Sequence, residues 1–349
     1  MLRYPAAMLT AAAESIQLWL TRIFPALFPF IVSCSILLQL GIAEKMSLLF
    51  RPFCRFLFHL DGIAAFPFFM GILSGYPMGA RLTAQLYKEN LISGEDAQHI
   101  LHFSNNPGPL FLIGTVGIGF FGMPLYGYAL LLCSILGAIL TGILLRPHTR
   151  KKQKKHHSHL LPPQDIPLTD LLSHAVADGM QTILLIGGYL IFFAAFSEAL
   201  KQASVFSILA EKFSFLPLSE KTLQGILCGL LEMTNGAYLL SCSSDALRLR
   251  LTFTAFLVSF GGLSILGQTF GILSAVPISK KDYLKGKFLN ALFSSLFLYV
   301  LFPFFEQKAQ KAVPVFSVFT ETAFTLSFLW LMPSLFLCGV LCHAILRKG

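Results

Sequence analysis

The chain has 349 residues, 55% of them hydrophobic and only 12% charged, with a mean hydropathy of +0.71 and a formal net charge of +9. Soluble domains carry about 25% charged residues, so this composition excludes an ordinary soluble globule and places the chain in a lipid bilayer. The positive charge does not indicate a nucleic-acid partner, because the basic residues sit mainly at the ends of apolar stretches, where lipid head groups and orientation rules account for them.

Residues 3–17 are too short and polar to cross a bilayer, and they lead onward without a convincing cleavage site, so no cleavable signal is expected. Residues 18–42 (LWLTRIFPALFPFIVSCSILLQLGI) are long enough to cross, with Pro25 and Pro29 kinking the helix. Residues 44–60 space Arg51, Arg55 and His59 among Leu and Phe at helical intervals, the pattern of an amphipathic helix lying in the interface. Residues 63–87 hold Gly71, Gly75, Pro77 and Gly79 around a tip at 74–78, which predicts a re-entrant helix–turn–helix. Ser93, Glu95 and Asp96 bring capping chemistry to the next helix. That helix runs to Ser104, breaks at Asn105-Asn106-Pro107-Gly108-Pro109 and resumes as far as Phe121; residues 124–145 then form an ordinary spanning helix.

The basic, proline-ended segment 146–165 (RPHTRKKQKKHHSHLLPPQD) reads as a cytoplasmic linker by the positive-inside rule. Its His148, His156, His157 and His159 read as solvated linker residues rather than a metal site. The plan then recurs: a spanning helix at 180–200, a short amphipathic stretch at 206–216 and a second hairpin at 223–240 with its tip near 232–236. A second broken helix at 246–275 is interrupted at Gly261-Gly262, a spanning helix follows at 284–305, and a last one at 319–346 ends in Arg347-Lys348. Counting from the linker puts Lys280, Lys281, Lys285, Lys287 and the C-terminus inside with Arg51 and Arg55, which inverts the two halves. The expected fold is an all-α polytopic membrane protein of about seven crossings. It comprises a first inverted repeat at 1–145, a linker at 146–166, a second inverted repeat at 167–305 and an extra C-terminal transmembrane helix at 306–349. Each repeat holds a re-entrant hairpin and a broken transmembrane helix.

An unpaired backbone N–H or C=O in hydrocarbon costs several kcal/mol, so such interruptions survive where they line a cavity or a binding site. The half-helix that restarts after a break carries roughly +0.5 of a charge at its N-terminus, which suits an anionic group. Residues 110–114 and 263–267 supply those N-termini. The candidate substrate-binding residues are Ser74, Gly75 and Tyr76 at the first tip, Arg81 on its outgoing arm, and Asn105, Asn106 and Gly108 at the first break. In the second half they are Glu232, Thr234 and Asn235 at the tip, with Ser259, Gly261, Gly262, Ser264 and Gln268 at the break. A carboxylate in an apolar stretch must be paired, protonated or facing water, so Glu232 either holds substrate, carries a coupling proton, bonds across its hairpin or pairs with Arg81. Arg248 and Arg250, on the predicted outer side, either attract anions or meet head groups.

Nothing points to an enzyme or a cofactor. Gly262-Leu263-Ser264 with His343 is a faint match to an intramembrane serine protease, but Ile265 stands where a glycine would follow the serine. There is no H-E-x-x-H motif. The seven cysteines lie in or beside apolar segments without a C-x-x-C pair and read as small packing residues.

SGYPMGARLTAQ (74–85), SNNPGPLFLIG (104–114), GLLEMTNGAY (229–238) and SFGGLSILGQ (259–268), together with WLTRIFPALFPFIVS (19–33), resemble the YlbJ-type sporulation integral membrane proteins. The resemblance covers roughly residues 15–305. It implies a Gate, or nucleoside-recognition, domain related in plan to concentrative nucleoside transporters. It further implies a protein of the outer forespore membrane that moves dipicolinic acid from mother cell toward forespore, with the tips and breaks forming the site. In that setting half-helix N-termini and Arg81 would neutralise the two carboxylates while Tyr76 stacks on the ring. A nucleoside or other small metabolite, or a non-transporting scaffold, are the alternatives, and a homo-oligomer is compatible with either.

The topology has a direct test. In a cysteine-free background, single cysteines in 146–165 should label from the cytoplasmic side and single cysteines at 308–311 from the opposite side. Labelling of both from one side would contradict the inverted plan.

Overall fold

The computed structural model describes residues 5–146 and 168–311, and every regular element among them is helical. The linker beyond Arg146 and the helix predicted at 319–346, with Cys338, Cys342 and His343, lie outside those residues.

Helix α1 (Pro5–Leu18) continues through a π-helical turn, Trp19–Ile23, into α2 (Phe24–Gln39). The first rod therefore starts well before Leu18, and the polar stretch expected to lie outside the crossing extends it. Pro25 and Pro29 have no N–H to donate and crowd the carbonyls four residues back, so the turn beside them widens instead of ending the helix. Helix α3 (Ile42–Phe58) exposes Leu48, Leu49 and Phe56, as an interfacial helix would, and the chain then bends by 92° into the segment Gly62–Ser74. At that bend Asp61 meets Arg55 at 3.2 Å and Arg51 at 3.8 Å, half-exposed pairs worth about 0–1 kcal/mol each.

The first hairpin is α4 (Ala65–Ser74) and α5 (Met78–Lys88). Helix α6 (Gly94–Ser104) starts with the expected capping box, Ser93 Oγ accepting from Asp96 N at 3.0 Å and the Asp96 carboxylate accepting from Ser93 N at 3.4 Å. After four non-helical residues and Pro109 the chain restarts as a π-helical segment, Leu110–Phe120, and α7 (Pro124–Leu144) follows. The second half comprises α8 (Leu168–Gln202), α9 (Val205–Lys212), the hairpin α10 (Glu220–Leu231) and α11 (Met233–Ser241), the broken pair α12 (Leu247–Phe260) and α13 (Gly262–Ile272), and α14 (Lys280–Lys311).

Among the described residues four helices are long and apolar enough to cross a membrane: Pro124–Leu144, Thr169–Gln202, Leu247–Ala275 and Lys280–Gln307. The bent pair Lys45–Phe58 and Gly62–Ser74 makes a fifth if it counts as one span, and Leu27–Gln39 and Leu110–Phe120 are apolar but shorter. Helix α14 packs against both α7 and α12, over a core that includes Leu130, Cys133, Leu251, Val258 and Leu298. Helices α1 and α2 pack along α8, where Trp19 Nε1 donates to the Ile183 carbonyl at 3.2 Å. A second core surrounds the first hairpin, with Phe58 and Phe103 stacked at 4.0 Å.

Helices in lipid gain little from mutual hydrophobic burial, so close backbone approach and hydrogen bonds hold them together. Each hairpin uses glycine for this against the break that follows it in sequence. Gly75, at φ +87°, turns the first tip onto the backbone of Gly108, and Gly79 lies so close to the Ser104 carbonyl that a Cβ would overlap it. In the second half Gly262, at φ +68°, sits where a Cβ would be 2.9 Å from the Gly229 carbonyl oxygen and 3.0 Å from that of Leu231.

Gly79→Ala must therefore push backbone against backbone. We expect it to lower the melting temperature of the detergent-solubilised protein, by the equivalent of about 1–3 kcal/mol. Gly188→Ala, where a Cβ meets nothing within 4 Å, should leave it unchanged or slightly raised. Equal melting of the two variants would contradict the close junction.

Candidate functional site

The first hairpin tip and the first break meet one face of α14, and the second break joins them through Tyr76. Tyr76, at the tip, is buried, and its hydroxyl lies 3.0 Å from the Val258 carbonyl and 2.9 Å from the Ser259 carbonyl. These are carbonyls at the C-terminal end of α12, left without helical donors by the break. The same hydroxyl accepts a hydrogen bond from Lys287 Nζ at 2.7 Å, and Nζ also donates to the Asn105 carbonyl at 3.0 Å, the residue that ends α6. The ammonium sits 4.6 Å from the centre of the Tyr76 ring. Lys287 thus ties the end of α6 to the hairpin tip, and Tyr76 ties the tip to the end of α12.

The asparagines of the first break are held on either side of this tie. Asn105 Nδ2 donates to Tyr283 Oη at 2.9 Å and to Thr269 Oγ1 at 3.1 Å, joining α6 to α13 and α14. Asn106 Nδ2 donates to the Phe103 carbonyl at 2.6 Å, while its Oδ1 accepts from Asn290 Nδ2 at 3.0 Å. Asn290 Oδ1 in turn accepts from Ser294 Oγ at 3.1 Å, and Ser259 Oγ donates to Ser134 Oγ on α7 at 3.3 Å. Ser74 Oγ, Ser104 Oγ and Asn105 Oδ1 are buried without a hydrogen-bond partner.

Other candidates lie elsewhere. Arg81 is 7% exposed and donates to Ser35 Oγ on α2 at 2.9 Å and to Thr182 Oγ1 on α8 at 3.0 Å, so it fastens the outgoing arm to the opposite wall. Glu232 stands in extended conformation between α10 and α11 and caps α11, its two carboxylate oxygens accepting from Thr234 N at 3.0 Å and Asn235 N at 2.8 Å. No ion pair joins Arg81 and Glu232 among the described residues; Glu232 is met by its own hairpin's backbone, whereas the Arg81 Nη1 is buried without a hydrogen-bond partner. Asn235 is exposed, and Gln268 reaches Ser264 Oγ within α13 at 3.5 Å. Arg248 and Arg250 are held by backbone: Arg248 donates to the Tyr299 carbonyl at 2.7 Å and Arg250 to the Ser241 carbonyl at 2.7 Å.

Lys287 corrects the reading of the basic residues that open α14. Lys280, Lys281 and Lys285 are exposed, as an interfacial cluster requires, but Lys287 is 1% exposed, turned away from Lys281 and Lys285 and two turns further along the helix than Lys280. The signal was available in the spacing. Tyr283, Lys287, Asn290 and Ser294 recur at i, i+4, i+7 and i+11, a polar stripe on an otherwise apolar helix, and all are buried.

The chain is 30% identical over 319 residues to the sporulation integral membrane protein YlbJ of Bacillus subtilis (strain 168), an alignment spanning 85% of this chain and 78% of that protein. It belongs to the YlbJ family. A family profile named Gate, described as nucleoside recognition, matches residues 20–124. That span carries Tyr76, Arg81, Asn105 and Asn106, so in this YlbJ-family chain the Gate domain holds the tip and the first break, whereas Lys287, Asn290 and the second break lie beyond it. No solved structure matches the chain.

A double-mutant cycle checks the separation of the two predicted partners. Arg81→Gln and Glu232→Gln should change the melting free energy additively, within about 0.3–0.5 kcal/mol, since they share no contact. A coupling well above that would restore the Arg81–Glu232 pair.

Proposed function

We propose that this YlbJ-family protein is a carrier of a small anionic solute, and not an enzyme. Its substrate on this reading is dipicolinic acid, moved from the mother cell toward the forespore across the outer forespore membrane. The observation that carries the proposal is the convergence of the first tip, both helix breaks and α14 on one buried polar cluster. Interrupted helices in a membrane are tolerated where the freed backbone meets protein or lines a route for solute, and paired hairpins and broken helices belong to carriers built from inverted repeats. Each half seating its hairpin on its own break supports that plan, with the hairpins re-entrant.

The chemistry suits an acid with neutral ring features. Dipicolinate is a planar dianion at neutral pH. The half-helix N-termini at Leu110 and Gly262 offer partial positive charge, and the partnerless Ser74 and Ser104 hydroxyls offer donors, once the tip moves away. The nucleoside alternative rests on the Gate profile over 20–124 and on the amides of Asn105, Asn106 and Asn290, which suit a neutral base.

Uptake of labelled dipicolinate into proteoliposomes, with nucleosides as competitors, decides between them. We expect accumulation that nucleosides do not inhibit, and its loss in Asn106→Ala and in Gly261→Leu at normal protein levels. Inhibition by nucleosides would select the nucleoside carrier. Wild-type accumulation in sporulating cells that carry either well-folded variant would favour a scaffold.

A further inference from the structure

Lys287 is an amine buried among membrane helices without an acid. Among the described residues no carboxylate pairs with it; its partners are the Asn105 carbonyl, the Tyr76 hydroxyl and the face of the Tyr76 ring. Each acceptor lies at, or is bound to, the C-terminal end of a broken helix: Asn105 ends α6, and the Tyr76 hydroxyl rests on the Val258 and Ser259 carbonyls that end α12. Such ends carry roughly half a negative charge each, and their freed carbonyls have no water to turn to in hydrocarbon. In carriers with discontinuous helices, unwound carbonyls and half-helix C-termini are where a soluble coupling cation binds.

We infer that Lys287 is a tethered cation occupying the place of such an ion, so that this protein closes its hairpin tip onto the two helix ends without binding sodium. The ammonium meets the requirements of that place. It is positive, it has three protons of which the Asn105 carbonyl and the Tyr76 hydroxyl take one each, and it is fixed to α14, which also holds Asn106 through Asn290. A soluble ion would leave the site during each cycle, whereas a lysine remains, and a sodium gradient therefore contributes nothing to the movement of solute. This deepens the transport reading, and its first test stands apart from that reading.

The test compares melting of the purified full-length protein in sodium chloride and in N-methyl-D-glucamine chloride of equal ionic strength. Wild type should melt at the same temperature in both. Lys287→Ala, which removes the charge and leaves room, should melt several degrees lower in N-methyl-D-glucamine and regain part of the loss in sodium. Lys287→Met, which fills the space without charge, should show no sodium response. Lys287→Ser offers a second route to an open site with an added oxygen ligand, should the alanine variant fail to fold. A sodium-stabilised wild type would overturn the inference. So would alanine and serine variants indifferent to sodium, or unfolded in both media, because a purely structural lysine predicts a loss that sodium cannot repair. In proteoliposomes, dipicolinate uptake by wild type should be unchanged when sodium is replaced on both sides. Absence of dipicolinate uptake would count against the proposed substrate while leaving the melting result to judge Lys287.

Discussion

Two helices that stop in the buried interior, at Asn105 and just past Ser259, leave carbonyls that neither water nor a next helical turn can satisfy, and the rest of this site is arranged around closing that deficit. The Asn105, Val258 and Ser259 carbonyls come from different halves of the chain, yet they are met by a single pair of side chains, Lys287 and Tyr76. A buried hydrogen bond to a charged group contributes roughly 1.5–3 kcal/mol and a neutral one about 1 kcal/mol, while an orphaned carbonyl costs about as much again. The hairpin tip is thus held where it is by the need of two helix ends for donors, more than by apolar contact.

The breaks and tips could be read directly from sequence because the residues that interrupt a helix are chemically distinctive. Gly75, Asn105 through Pro109 and Gly261-Gly262 all fall where helices stop in the structure, since positive φ and missing N–H groups are local properties. Partners were less legible. Glu232 looked isolated because a carboxylate in an apolar run has no visible counterpart, yet it answers two backbone N–H groups within three residues, a local capping role that the hairpin geometry creates. Lys287 was grouped with its exposed neighbours because charge near the end of an apolar segment is read by position along the chain, whereas its burial depends on rotation about the helix axis, which turns it from Lys285, and on depth, which parts it from Lys280.

Arg81 marks the limit of arguing from charge alone. It and Lys287 are both buried cations on or against the first hairpin, but Arg81 bonds through Nε and Nη2 to Thr182 and Ser35, hydroxyls of α8 and α2, and leaves Nη1 unpartnered, whereas Lys287 bonds groups at the tip and first break. The first kind of contact fixes the arm of the hairpin to the wall behind it. The second fixes its tip to the two helix ends.

This division bears on which parts can move. The arms are packed into an aromatic core in which Phe103 touches Phe58, Phe68 and His99, with ring centres 4.0, 5.5 and 5.6 Å away. Displacing them would disturb many contacts at once. The tip is attached through the Tyr76 hydroxyl and the Gly75–Gly108 approach, so its release breaks a few hydrogen bonds, each of order 1–3 kcal/mol. A carrier must pass between closed and open forms separated by only a few kcal/mol. On the proposed carrier reading, concentrating the attachment of the tip in one tyrosine and one lysine keeps that difference small while the arms stay in place.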